Sequence, residues 1–131
     1  MRSSVWMLSE GMLNYVALGI FVVVLAAGQV FFKFAASALK NKPVTEGFIA
    51  LAQTSTFYVA VTLYGAATLL WVWILSRVPL SQAYPWVALA MSAVPILAVF
   101  VFDERINSTY WLGIGLVVIG VFLTQRASQA F

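Results

Sequence analysis

The chain has 131 residues, of which 63% are hydrophobic, 15% aromatic and only 8% charged. A soluble domain of average composition carries about 25% charged residues, so seven basic and four acidic side chains cannot cover a water-facing surface. The composition is that of an integral membrane protein, and the absence of cysteine and histidine removes disulfides, thiolate or imidazole metal sites, cysteine nucleophiles and the commonest general base.

Neither enzymatic chemistry nor a cofactor is expected. Three of the four carboxylates (Glu46, Asp103 and Glu104) fall in or beside predicted loops, which disfavours a carboxylate-only metal site. The net charge of +3 forms no basic tract, so nucleic acid is not expected as a partner.

A hydrocarbon core about 30 Å thick requires roughly 20 helical residues per crossing. Four apolar blocks meet this need, at about 14–39, 57–76, 80–102 and 110–125. The alternation of barrel strands is missing. The predicted fold is therefore all-α, with one domain over residues 1–131 forming a bundle of four transmembrane helices with short loops.

Ahead of the first block, Val5-Trp6-Met7-Leu8 reads as an interfacial lead-in with Trp6 at headgroup level. Ala36-Ser37-Ala38 has the form of a signal-peptidase site. The apolar stretch before it is longer than the usual ~7–15 residues and is interrupted by Lys33, so cleavage is not expected.

Within the first block Gln29, Lys33 and Ser37 recur every four residues and share one helical face. Polar groups at membrane depth are costly and point to function by default. A lysine ammonium is a compact charge with three donors, suited to an anion and particularly to phosphate, and Gln29 adds donors one turn away. Gly28, beside the stripe, admits close approach of a helix or a substrate.

A structural reading of Lys33 stands beside the functional one. It lies six residues before Leu39, about 9 Å along a helix, and a lysine stem snorkels most of that distance. Glu104 ends the third block on the same membrane side, where it can form an ion pair with Lys33.

The segment 40–46 is the only long polar connection. In the second block Tyr58 and Thr62 share a face and are candidates for lining a cavity. Around Arg77-Val78-Pro79 the chain turns within a few residues, with proline near the first helical position, where its missing N–H is harmless. Short links predict that the second, third and fourth helices pack as tight antiparallel hairpins.

In the third block, Ser81, Gln82 and Tyr84 form a second polar cluster around Pro85. Pro85 cannot donate to the carbonyl of Ser81, nor Pro95 to that of Met91, so both prolines predict helix kinks with freed carbonyls. Asn107 or Ser108 caps the fourth helix ahead of Trp111. Gly113, Gly115 and Gly120 permit close packing there, and Trp71, Trp73, Trp86 and Trp111 suit interfaces or helix packing.

Four crossings put both chain ends on one side. Arg2, Arg77 and Arg126 fall there, against Lys40, Lys42 and Arg105 opposite, so the basic residues choose no orientation. Such a balance fits uninformative charges, a chain inserted both ways and paired antiparallel, or a partner subunit that sets the orientation.

Taken in order, Gly28-Gln29-x-x-x-Lys33, Val78-Pro79-Leu80-Ser81-Gln82-Ala83-Tyr84-Pro85, Asp103-Glu104-Arg105, Trp111-Leu112-Gly113 and Ile119-Gly120-Val121 resemble the drug/metabolite transporter superfamily across all four helices. The resemblance is to its short four-helix members, the small-multidrug-resistance proteins and the subunits of the undecaprenyl-phosphate-aminoarabinose flippase. The cation exporters carry a glutamate eight residues before the lysine that matches Lys33; here that position is Leu25, and the block 14–39 holds no acidic residue. Gly28, Gln29, Lys33, Ala83, Tyr84, Pro85 and Glu104 match the flippase subunits instead.

The resemblance implies a non-enzymatic, multi-pass protein of the bacterial inner membrane that moves a polyisoprenyl-phosphate-linked sugar. Lys33 and Gln29 are expected at the phosphate, with Ser81 and Tyr84 along the headgroup path and Glu104 also among the substrate-binding residues. A small-multidrug-resistance-type exporter of cationic compounds and a non-transporting assembly partner are the alternatives. Four spans enclose little more than their own side chains, so the active unit is expected to hold at least two four-helix chains. A homodimer, antiparallel in form, is slightly preferred to a heteromer with a second four-helix subunit.

Overall fold

The computed structural model describes residues 2–128, with side chains from Glu10 onward. Among these residues every regular element is helical: α1 (Arg2–Ala36), a single 3-10 turn (Ser37–Leu39), α2 (Val44–Ala52), α3 (Ser55–Leu75), α4 (Leu80–Phe102) and α5 (Ser108–Ser128). Glu10–Leu39, α3, α4 and α5 are each long and apolar enough to cross a membrane. The fold is all-α with four transmembrane helices.

Among the described side chains, the first candidate crossing spans Glu10–Leu39 and contains the predicted block 14–39. The lead-in before it continues α1 as helix; the side chain of Trp6, expected at headgroup level, lies outside the described residues.

The connection 40–54 is not a plain polar loop. Asn41, at φ 62°, turns the chain in the left-handed region, which asparagine tolerates. Pro43 then starts the nine residues of α2. These reach about 14 Å, far short of a crossing. Gly47 is buried, and a β-carbon there would meet the backbone of Leu39 at 3.6 Å, so α2 folds back on the end of the first crossing. Val44, Phe48 and Ile49 remain exposed on it.

The packing order corrects the expected α3–α4 hairpin and bears out the packing of α4 with α5. α1 packs along α3 on one side and α4 on the other, α5 packs on α4, and α3 and α4 barely touch despite their tight turn. The physical reason lies in small residues at heptad spacing. Ala60, Ala67 and Ile74 on α3 and Ala83 and Ala90 on α4 are buried, and each set recurs every seven positions, keeping one seam along a helix. In lipid, such small-residue seams let backbones approach, because apolar surface alone supplies no drive between helices. Ala67 and Ile74 of α3 and Ala83 of α4 pack in one cluster with Ala17, Leu18 and Phe21 of α1.

Two loop details follow from local chemistry. Asn107 accepts a hydrogen bond from the backbone N–H of Tyr110 at 2.9 Å and is therefore the cap of α5. α4 continues as α-helix through both Pro85 and Pro95.

Candidate functional site

The second half of α1 carries the expected polar stripe. The Lys33 ammonium lies 3.0 Å from a carboxylate oxygen of Glu104, and both side chains stay about half exposed, at 59% and 42%. The turn at Asp103 positions this carboxylate: a left-handed φ of 52° ends α4 and swings Glu104 back toward α1. The ring of Phe102 lies beneath, 5.9 Å from the ammonium, and packs on Phe34 at 4.8 Å. The structural ion pair therefore forms. Because an ammonium has three donors, Lys33 can hold Glu104 and still offer hydrogens to an incoming anion.

Gln29, Lys33 and Glu104 line one open cavity of about 380 Å³, with Val94, Ala98 and Phe102 forming its apolar wall. Ser37 lies farther out, in the 3-10 turn, where its hydroxyl donates to the carbonyl of Phe34 at 2.6 Å. It shares a second opening of about 560 Å³ with Lys33 and Lys40. The stripe thus runs from the membrane-depth cavity to its mouth.

Tyr64 of α3 is a site residue that the sequence did not single out. The Gln29 side-chain amide donates to its hydroxyl, and its ring meets Phe32 edge-on at 5.1 Å. Gly28 makes this possible, since a β-carbon there would stand 3.0 Å from the Tyr64 ring. The available signal was a phenol in the middle of an apolar span, which requires a polar partner at that depth.

The second cluster lies elsewhere. Ser81, Tyr84 and Pro85 line a separate opening of about 440 Å³ between α4 and α5, shared with Gly120 and Thr124. Its lining has no residue in common with that of the Lys33 cavity, so one chain does not bring Lys33 and Tyr84 together. A larger groove of about 680 Å³ runs between the same two helices past Met91, Pro95 and Gly113. Open space stands over Gly113, Gly115 and Gly120 within the chain.

Tyr58 and Thr62, candidates for a cavity wall, are held by backbone instead. The Tyr58 hydroxyl donates to the carbonyl of Ala52 at 2.7 Å, tying α3 to the end of α2, and Thr62 donates to the carbonyl of Tyr58 at 2.8 Å. Of the tryptophans, Trp71 stacks on Phe21 at 4.7 Å and Trp86 packs near Tyr15.

A relative from Pectobacterium atrosepticum, named as a probable 4-amino-4-deoxy-L-arabinose-phosphoundecaprenol flippase subunit ArnE, is 34% identical over 86% of this chain and 98% of its own length. Proteins of the same name from Hamiltonella defensa (32% identical; 85% of this chain, 96% of its own) and Pseudomonas fluorescens (31% identical; 76% and 85%) are also similar. No solved structure matches the chain. The EamA-like transporter family matches residues 3–126, nearly the whole length over which the four crossings, the Lys33 stripe and the α4 cluster are distributed, and the chain belongs to that family.

Proposed function

We propose that this chain is a flippase subunit of the bacterial inner membrane that moves a polyisoprenyl-phosphate-linked sugar, aminoarabinose-like, without covalent chemistry. The observation that carries the proposal is the Lys33 ammonium, held half-exposed beside Gln29 in an open cavity at membrane depth. A phosphate needs a counter-charge there, since an unpaired anion in lipid is costly. The cavity opens outward from the chain, so a polyisoprenyl tail can stay in lipid while only the headgroup takes the polar route. The names of the relatives support the same substrate class.

Lys33 and Gln29 bind the phosphate, Glu104 holds Lys33 in place, and Ser81 and Tyr84 line the headgroup path on a neighbouring chain. The active unit holds at least two four-helix chains, because Lys33 and Tyr84 open on different cavities within one. The test is reconstitution in vesicles, alone and with a second four-helix subunit, scoring movement of a polyprenyl-phosphate aminosugar across the bilayer. Translocation that disappears in Lys33→Ala supports the reading; a wild-type preparation that moves cationic dyes and no lipid-linked sugar refutes it.

A further inference from the structure

At the opposite end of the bundle a second polar pocket contains a cation with no carboxylate beside it. Arg77, in the α3–α4 turn, lines a small cavity of about 150 Å³ together with Asn14 of α1, Gln82 of α4 and Gln125 of α5. Asn14 precedes Lys33 by nineteen residues on one helix, roughly 28 Å at ~1.5 Å per residue. That separation approximates the thickness of the hydrocarbon core, so the two polar clusters face opposite membrane surfaces.

The two ends differ in what holds the charge. Lys33 already has Glu104. Arg77 makes no ion pair among the described residues; Glu10, one turn before Asn14, is exposed and does not reach it. The guanidinium instead lies over the ring of Trp73, 4.1 Å from its centroid. Stacking occupies the face of a guanidinium and leaves its in-plane N–H fork free, the geometry that grips phosphate through two hydrogen bonds.

The rest of the pocket supplies neutral hydrogen-bonding groups. The Gln125 amide is fixed by donating to the backbone carbonyl of Gln82 at 2.9 Å. The cavity, about 150 Å³, has room for several waters and so for a phosphate group.

We infer that Arg77, Asn14, Gln82 and Gln125 form a second phosphate site, which takes the phosphate of a polyisoprenyl phosphate at the membrane face opposite Lys33. The lipid source of that phosphate rests on the flippase reading; the pocket's preference for an anion does not. Each face then presents its own phosphate contact.

The experiment measures binding, not transport, so its failure is distinct from failure of the flippase reading. The full chain carrying Lys33→Ala is placed in zwitterionic nanodiscs and titrated with undecaprenyl phosphate, with helix content and thermal stability checked for every variant. The Lys33→Ala chain is expected to bind, and adding Arg77→Gln is expected to weaken binding by about tenfold or more. Gln82→Leu, which leaves every charge in place, is expected to weaken it several-fold. No binding by the Lys33→Ala chain, or equal binding after Arg77→Gln, overturns the site. Equal binding by Arg77→Lys and Gln82→Leu reduces it to headgroup electrostatics and also overturns it. Inorganic phosphate in large excess is expected to leave the lipid bound; displacement reassigns the pocket to free phosphate and overturns the lipid assignment.

Discussion

Gly28 and Tyr64 are matched across the α1–α3 seam: a β-carbon on the glycine would sit 3.0 Å from one ring carbon of the tyrosine and 3.3 Å from the next. The phenol can lie flat along α1 and reach the amide of Gln29 only because position 28 has no side chain. Gly28→Ala must push the ring away, and overpacking of this kind costs about 1–3 kcal/mol. The expected outcome is a lower melting temperature in detergent together with reduced transport. Tyr64→Ala added to Gly28→Ala should return part of the stability and none of the transport.

Tyr64→Phe isolates the hydrogen bond from the packing. The ring keeps its contact with Phe32, while the Gln29 amide loses its acceptor at a cost of about 1 kcal/mol. Stability should change little, and transport should fall because Gln29 is no longer aimed. Unchanged transport would show that the Gln29–Tyr64 contact is only a helix tie.

For the Lys33–Glu104 pair the two roles separate by readout. A half-exposed ion pair contributes about 0–1 kcal/mol, so Lys33→Ala and Glu104→Gln should both leave thermal stability nearly intact. Lys33→Ala is expected to abolish transport and Glu104→Gln to reduce it much less. Reversing both charges should not restore transport, because the phosphate then meets a carboxylate on α1. Rescue by the reversal would reduce Lys33 to a structural partner.

Assembly is tested by crosslinking. The chain has no cysteine, so single cysteines near Lys33 and near Tyr84 report on a clean background. Crosslinks between the two positions in native membranes are expected between different chains. If they form only to another gene product, the unit is a heteromer. Activity from a monomeric preparation would refute the oligomer.

Much of this architecture was legible because lipid imposes a simple length rule. Each crossing is a long, predominantly apolar stretch, and of the two caps open before Trp111, Asn107 or Ser108, the structure uses Asn107. α2 was not legible: Pro43, Thr45 and Glu46 give its start the look of a loop, and nine residues fall below the length that signals a crossing. The expected α3–α4 pairing fails for a related reason, whereas α4 and α5 do pack together. A short turn at Arg77-Val78-Pro79 fixes where α4 begins, whereas the helix it packs against is set by the alanine seams at positions 60, 67, 83 and 90. Of the site, the Lys33 stripe could be read from its four-residue spacing. Tyr64 could not, since its partner is thirty-five positions away and only the fold brings them together.

The central position of α1 also dictates an order of construction. α3 and α4 bury their seams against α1 and hardly against each other, so α1, synthesised before either, is the surface on which both dock. Each newly made crossing finds its binding face already in the membrane, and none has to wait for a segment still to be synthesised. A fragment beginning at Ser55 lacks that template. Its α3 and α4 have no shared surface to hold them together, and supplying α1 as a separate peptide should be enough to reunite them.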